Sequence, residues 1–206
     1  MLAFEELTGN LAAKRAIEVA AVGGLKVALV ALDREAARVL AEAASSLDVP
    51  YTFELTLCPC GNWGSPRPCS CTPEEIKVHQ RSLTWREALK QADLWVAVHP
   101  PDRNELRDFL NGRRGESLQD IARKVERARS GYTTSIARVL HCFTADAQKL
   151  LLKAAEEFQL TWGDVLAVVR CTEAIRALEA APAIEASHVA EAAGYRPQNL
   201  KSLVVP

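Results

Sequence analysis

The sequence has no long apolar run. No stretch reaches the roughly 18 residues that a membrane-crossing helix requires, so no bilayer span is expected. Its first ten residues, MLAFEELTGN, are acidic and have no basic stretch ahead of an apolar one, so a secretory leader of the usual kind is not expected there. A cytoplasmic chain is the expectation. A surplus of charge is also missing. Lys and Arg number 25 against 26 Asp and Glu, for a net charge of -1, so no global positive field draws the chain to nucleic acid or membrane. The four histidines form no H-x-x-x-H pair, and each reads as a packed or surface residue. No spacing singles out a catalytic carboxylate pair. Repeats and low-complexity tracts are absent.

A phosphate-binding loop of the form G-x-x-x-x-G-K-[ST] is missing as well. Such a loop needs glycines that turn backbone amides inward, a Lys that reaches phosphate and a hydroxyl for Mg²⁺. After its first apolar strand this chain reads Ala31-Leu32-Asp33-Arg34-Glu35. Asp33 and Glu35 would repel phosphate.

What is present is an ordinary globular composition, 49% hydrophobic and 25% charged over 206 residues, enough for one substantial core or two small domains. Residues 11–22 are good helix formers with Ile17 and Ala21 on one side, stopped by Gly23-Gly24. Residues 26–32 (KVALVAL) are a strand-length apolar run. Asp33 can cap a helix from 34 to about 47. Residues 51–57 (YTFELTL) alternate like a second strand, and 94–98 (LWVAV) form a third. Two strands around a helix predict a parallel pair with a covering crossover.

Thr72, Pro73 and Glu75 form a capping box, and Thr84 with Glu87 repeats the pattern. Asp102 can cap a helix toward Leu110. From there the chain reads as helices. Residues 117–130 carry Leu118, Ile121 and Val125, with Gly131 as a break. Residues 145–158 carry Leu151, Leu152, Ala155 and Phe158. A helix framed by Thr161 and Asp164 runs to Leu178 with Val165, Leu166, Val169 and Ile175, and a last one spans 185–193. Short loops predict antiparallel neighbours in a small bundle. Between Arg103 and Arg138 lie nine Lys or Arg and five Asp or Glu. This stretch is a candidate polyanion-facing surface, or else a solvated helix face.

Four of the six cysteines lie between positions 58 and 71: Cys58, Cys60, Cys69 and Cys71. Structural disulfides are rare inside cells, and two close thiol pairs can surround one tetrahedral ion. Zinc suits four thiolates, and a closed four-sulfur set leaves no open catalytic position. The Gly- and Pro-rich loop has no apolar core, so a metal would supply its cohesion. The C-x-C pairs are tighter than the common C-x2-C knuckle. An iron–sulfur cluster and metal-free cysteines remain as alternatives. Cys142 and Cys171 are expected to be small buried residues in helices. Trp63, in the same polar loop, either stands exposed or folds over the metal.

These motifs resemble one family. The helix with Ala13-Lys14-Arg15-Ala16-Ile17-Glu18-Val19-Ala20-Ala21 and Gly23-Gly24 before an apolar strand resembles the segment upstream of the phosphate loop in magnesium-chelatase-like AAA+ ATPases. The stretch Cys58-Pro59-Cys60-Gly61-Asn62-Trp63-Gly64, continuing through Pro66-Arg67-Pro68-Cys69-Ser70-Cys71-Thr72-Pro73-Glu74-Glu75, is similar to the cysteine-rich insertion of the ComM-type branch, linked to DNA processing. Residues 115–129 and 180–195 look like the start and the last helix of the family's helical lid.

The resemblance implies an α/β fold: a small, truncated AAA+-like parallel sheet with covering helices and a cysteine-rich zinc loop, then a C-terminal helical lid-like bundle. It divides the chain into an α/β domain at 1–112, with its metal-binding insertion at 58–72, and a helical domain at 113–206. The departures from the family govern the expected function. Asp33 and Glu35 stand where the phosphate loop would be, and the strand of the second acidic nucleotide motif has no room. Thr56 stands for a sensor Asn, and Gln91 and Glu173 stand for arginines. Arg170 lies nearby but does not replace the missing Lys.

The expectation is a non-catalytic protein with one structural zinc per chain, acting as a protein- or DNA-binding or assembly module. Trp63, Arg67, Arg113 and Arg114 are its candidate contacts. Nucleotide is not expected as a partner. The alternative is a residual ATP-binding or ATP-hydrolysing enzyme.

Overall fold

A computed structural model describes residues 2–196. After a 3-10 turn at Phe4–Glu6, helix α1 runs Leu11–Gly23 and ends at Gly24, whose left-handed backbone (φ 60°) a glycine tolerates without strain. Strand β1 (Val27–Ala31) is buried along its whole length. Helix α2 (Arg34–Ser46) starts at the cap predicted for it: the Asp33 carboxylate accepts the Ala36 amide at 3.0 Å. Strand β2 (Thr52–Leu55) follows.

Beyond the cysteine loop come α3 (Pro73–Gln80), α4 (Leu83–Gln91) and β3 (Leu94–Val98), then α5 (Arg103–Leu110). The helical remainder comprises α6 (Leu118–Gly131), α7 (Ile136–His141), α8 (Ala145–Glu157), α9 (Trp162–Leu178) and α10 (Ala186–Gly194).

The three strands form one parallel, unclosed sheet in the order β2-β1-β3. Side chains alternate between its faces. One face, with Val27, Leu29, Leu94 and Val96, packs beneath α1 and α2 and, beyond them, the inner sides of α6 and α9. The other, with Val30, Phe53, Leu55 and Trp95, is covered by Trp85 and Ala88 of α4. The main buried cluster is continuous from Phe4 to Tyr195, so it joins residues on both sides of position 112. A satellite core of Val139, Phe143, Ala147, Val169, Ile184 and Val189 holds α7 to α10 together. The C-terminal helices thus pack on one another and against α1. No helix among the described residues is long and apolar enough to cross a membrane.

Several local expectations change. The second capping pattern is not used: α4 is preceded by Ser82, whose side chain makes no cap hydrogen bond, and Thr84 lies within the first turn. Helix α6 passes through Gly131 and ends against Tyr132. Helix α7, six residues long, is too short to show a period in the sequence. Leu152 (66% exposed) and Leu166 (40%) point to solvent; the inward side of α8 is centred on Ala147 and Ala154. Cys171 is fully buried, and desolvation pushes its thiol pKa up, but Cys142 is a half-buried cap of α7.

Candidate metal centre

The centre lies just past the carboxyl end of β2. The exit is fixed by side chains reaching across from the next two helices. The Thr56 carbonyl accepts from His79 Nε2 (2.9 Å) and Trp85 Nε1 (3.1 Å), and the Leu57 carbonyl accepts from Gln80 Nε2 (3.0 Å). Two residues later Cys58 is completely buried.

The chain then turns tightly. The Gly61 amide donates to the Cys58 carbonyl at 3.0 Å, and Gly61 and Gly64 hold positive φ angles of 75° and 79°. A side chain at Gly64 would meet Leu32 at 2.9 Å and Leu57 at 3.2 Å, so the loop folds back onto the end of the sheet. After Cys71 the loop ends at the predicted capping box. Thr72 Oγ1 accepts the Glu75 amide at 3.3 Å, while the Glu75 carboxylate accepts the Thr72 amide at 2.7 Å.

These constraints bring Cys58, Cys60, Cys69 and Cys71 together, with all four sulfurs within 4.8 Å of one another. The Cys58–Cys60, Cys60–Cys69 and Cys58–Cys69 sulfur separations are 3.4, 3.6 and 3.7 Å. A tetrahedral ion with metal–sulfur bonds of about 2.3 Å requires edges of about 3.8 Å. The observed set therefore fits one ion with little rearrangement. No His or carboxylate joins the cluster among the described residues.

Backbone amides surround the sulfurs. The Trp63 amide donates to Cys58 Sγ at 3.3 Å. The amides of Asn62, Cys71 and Cys60 stabilise the sulfurs of Cys60, Cys69 and Cys71 respectively. The Asn62 amide and the Cys58 thiol bring Cys60 down to about 6. At Cys71 the Cys60 amide pulls downward, yet desolvation and the neighbouring thiols push the pKa up to about 12. The arrangement favours a negative charge on Cys60 and opposes one on Cys69 and Cys71, an opposition that a bound divalent ion would offset.

The other sequence candidates fall in different places. Trp63 is 39% exposed at the rim of the loop, and Arg67 is exposed beside it. Asn62 and Ser65 are turned inward: Asn62 Nδ2 donates to the Pro68 carbonyl, and Ser65 Oγ accepts the Arg67 amide. Between this loop and the start of α2 lies a cleft of about 600 Å³, bordered by Asp33, Arg34, Glu35, Cys60, Arg67 and Pro100.

Arg113 and Arg114 belong to the connection after α5 and are ion-paired, Arg113 to Asp108 (3.0 Å) and Arg114 to Glu6 (3.5 Å). Much of the basic stretch is likewise neutralised locally. Lys124 meets Glu18 at 2.9 Å. The Arg129 guanidinium spans the carbonyls of Ala21 (3.0 Å) and Leu47 (2.9 Å), closing the ends of α1 and α2. Glu173 is buried in α9, and Gln91 accepts from Lys26 at 2.9 Å.

Sequence reasoning missed the residue that packs on the metal loop. Arg34, the first residue of α2, lies with its guanidinium against Gly61. Only the fold joins these positions, and no local pattern marks the pair.

No protein-family model and no curated protein sequence matches the chain significantly.

Proposed function

We propose that this chain is a non-catalytic binding or assembly module whose cysteine loop is held rigid by one structural zinc ion on Cys58, Cys60, Cys69 and Cys71. The observation that carries the reading is the four-sulfur cluster: all four sulfurs lie within 4.8 Å of one another, and the three edges among Cys58, Cys60 and Cys69, at 3.4, 3.6 and 3.7 Å, are close to those of a tetrahedral thiolate site. Four soft ligands select zinc over the hard cations, and a closed shell leaves no place for substrate. The ion would supply the cohesion that a Gly- and Pro-rich loop lacks. Trp63 and Arg67 are then presented on a fixed scaffold to a protein partner, a second copy or DNA.

The local structure after β1 supports the non-catalytic side of this reading. The Asp33 carboxylate caps α2 through the Ala36 amide, filling with negative charge the helix start that an incoming phosphate would use. The resemblance to magnesium-chelatase-like AAA+ proteins extends the proposal to a shortened, degenerate member linked to DNA processing. A small parallel sheet followed by a helical bundle is what such a chain would retain.

Elemental analysis of protein purified without added metal tests the metal reading. About one zinc per chain is expected; neither zinc nor iron, with six titratable thiols, overturns it. Light scattering after gel filtration, with retention on double-stranded DNA at low salt, tests the binding reading. Retention or self-association that falls in Trp63→Ala and Arg67→Ala is expected. A monomer that no partner or DNA retains overturns it.

A further inference from the structure

We infer that Arg34 is a positioning residue of the metal centre. Its guanidinium seats the 58–61 turn on the first turn of α2 and offsets the negative charge of four thiolates around one divalent ion. The inference rests on the zinc reading above.

The contact is broad. A Cβ at Gly61 would overlap the Nη2, Nε and Cζ atoms of Arg34 together, so the guanidinium lies directly against the glycine. Gly61 follows Cys60 directly, and Cys60 and Arg34 border the same cleft. Arg34 is also held in place by its backbone. The Leu32 and Asp33 amides both donate to the Val98 carbonyl, at 2.9 and 3.1 Å. Asp33 then caps α2. The start of the helix is therefore fixed to β3, and Arg34 projects from a rigid point.

The charge on Arg34 is uncommitted. No carboxylate among the described residues pairs with it: Asp33 accepts the Ala36 amide, and Glu35 pairs with Arg38 at 2.7 Å. The charged groups bordering the cleft are Asp33, Arg34, Glu35 and Arg67. Four thiolates on a divalent ion carry a net charge of -2, and the exposed Arg34 offsets it across solvent, an attraction that salt screens. Arginine suits the place, because it stays charged and its planar group can lie flat on a glycine where a bulkier contact could not. Residues just outside a metal's ligands typically change its affinity by about 10- to 100-fold.

The test measures zinc affinity by chelator competition for wild type, Arg34→Lys and Arg34→Gln, at low and high salt. Thermal melting of the metal-free forms serves as a parallel readout, and Co²⁺ absorption reports four-thiolate coordination in each variant. The expected result is about 10-fold weaker zinc binding in Arg34→Gln, recovered in part by Arg34→Lys, which restores the charge but not the planar contact. The difference should narrow at high salt, where the charge is screened, with metal-free melting temperatures unchanged. Equal affinity in Arg34→Gln and wild type overturns the inference. So does a Lys variant as weak as the Gln variant, or a loss that appears equally in metal-free stability. Absence of zinc from the wild type instead overturns the metal reading itself, a result separable from any effect of Arg34.

Discussion

Glu173 and Arg176 form a bidentate pair one turn apart on α9, with Nε and Nη2 of the arginine each 2.7 Å from a carboxylate oxygen. Glu173 is fully buried, and its carboxylate also accepts the Thr133 amide at 3.2 Å. Arg176 goes on to the carbonyls of Ala181 (2.7 Å) and Gly131 (2.8 Å). The pair thus fastens the end of α6, the segment after it and the turn following α9 to one helix. Glu173→Ala removes one member and leaves a largely buried cation. The expected cost is about 3–5 kcal/mol, toward the lower figure because Arg176 keeps 15% side-chain exposure. For a chain of this size that is about 6–12 °C in melting temperature, measurable by calorimetry or urea denaturation.

Removal of the metal should be visible in the same measurement. With zinc at a thousand times its Kd, linkage supplies about 4 kcal/mol, or about 8–16 °C. A chelator is expected to remove that increment, and Cys69→Ser to start without it. Unchanged melting after complete metal removal would show the loop to be independent of any ion.

The thiols of the metal-free protein should titrate unequally. Cys60 is lowered to about 6 from an ordinary value of 9.0, while Cys71 is raised to about 12. Mass-spectrometric mapping after brief iodoacetamide treatment at neutral pH should therefore find Cys60 modified ahead of Cys71, with its rate falling below about pH 6. The effects on stability have opposite signs. Cys60 ionises more readily when folded, so its contribution is present above about 9 and lost as pH falls through about 6. Cys71 holds its proton when folded, so its contribution is present below 9 and lost as pH rises toward 12. As far as these two groups decide it, the metal-free fold is most stable near pH 9.

Gly61→Ala should damage the loop in two ways. A left-handed backbone at φ 75° costs a residue with a Cβ about 1–2 kcal/mol, and the new methyl displaces Arg34. Combining it with Arg34→Ala removes the collision but keeps the backbone strain, so only part of the loss should return. Urea denaturation of the zinc-loaded single and double variants measures both parts.

The features legible in the sequence are local ones. Asp33, Thr72, Asp102 and Thr161 act as caps where they were read, because a cap needs only its own next three residues. The strands were found through their apolar runs, although β2 ends at Leu55 and the chain leaves the sheet before Leu57. Helix phase was harder. Leu151 and Leu152 are adjacent, and a period of 3.6 cannot decide between them without knowing which neighbour lies beneath; the bundle selects Leu151 and leaves Leu152 in solvent. The cysteines identified their own cluster by spacing. Arg34 could not be found that way, since Gly61 is 27 positions away in sequence and becomes its neighbour only when β1 and β2 pair.

Helix α1 is made well before α9, yet part of its buried surface is completed by that helix. Val19 and Ala20 are fully buried in a cluster that includes Val168 and Ile175 of α9. Arg15 is tied to Glu179 and Glu191, each at 2.9 Å. On a translating ribosome, at about 5–20 residues per second, the apolar side of α1 must wait on the order of ten seconds for α9 to emerge. Part of α1 therefore stays uncovered until α9 emerges, and over that interval the nascent chain carries an open, alanine-rich surface that needs shelter from its neighbours.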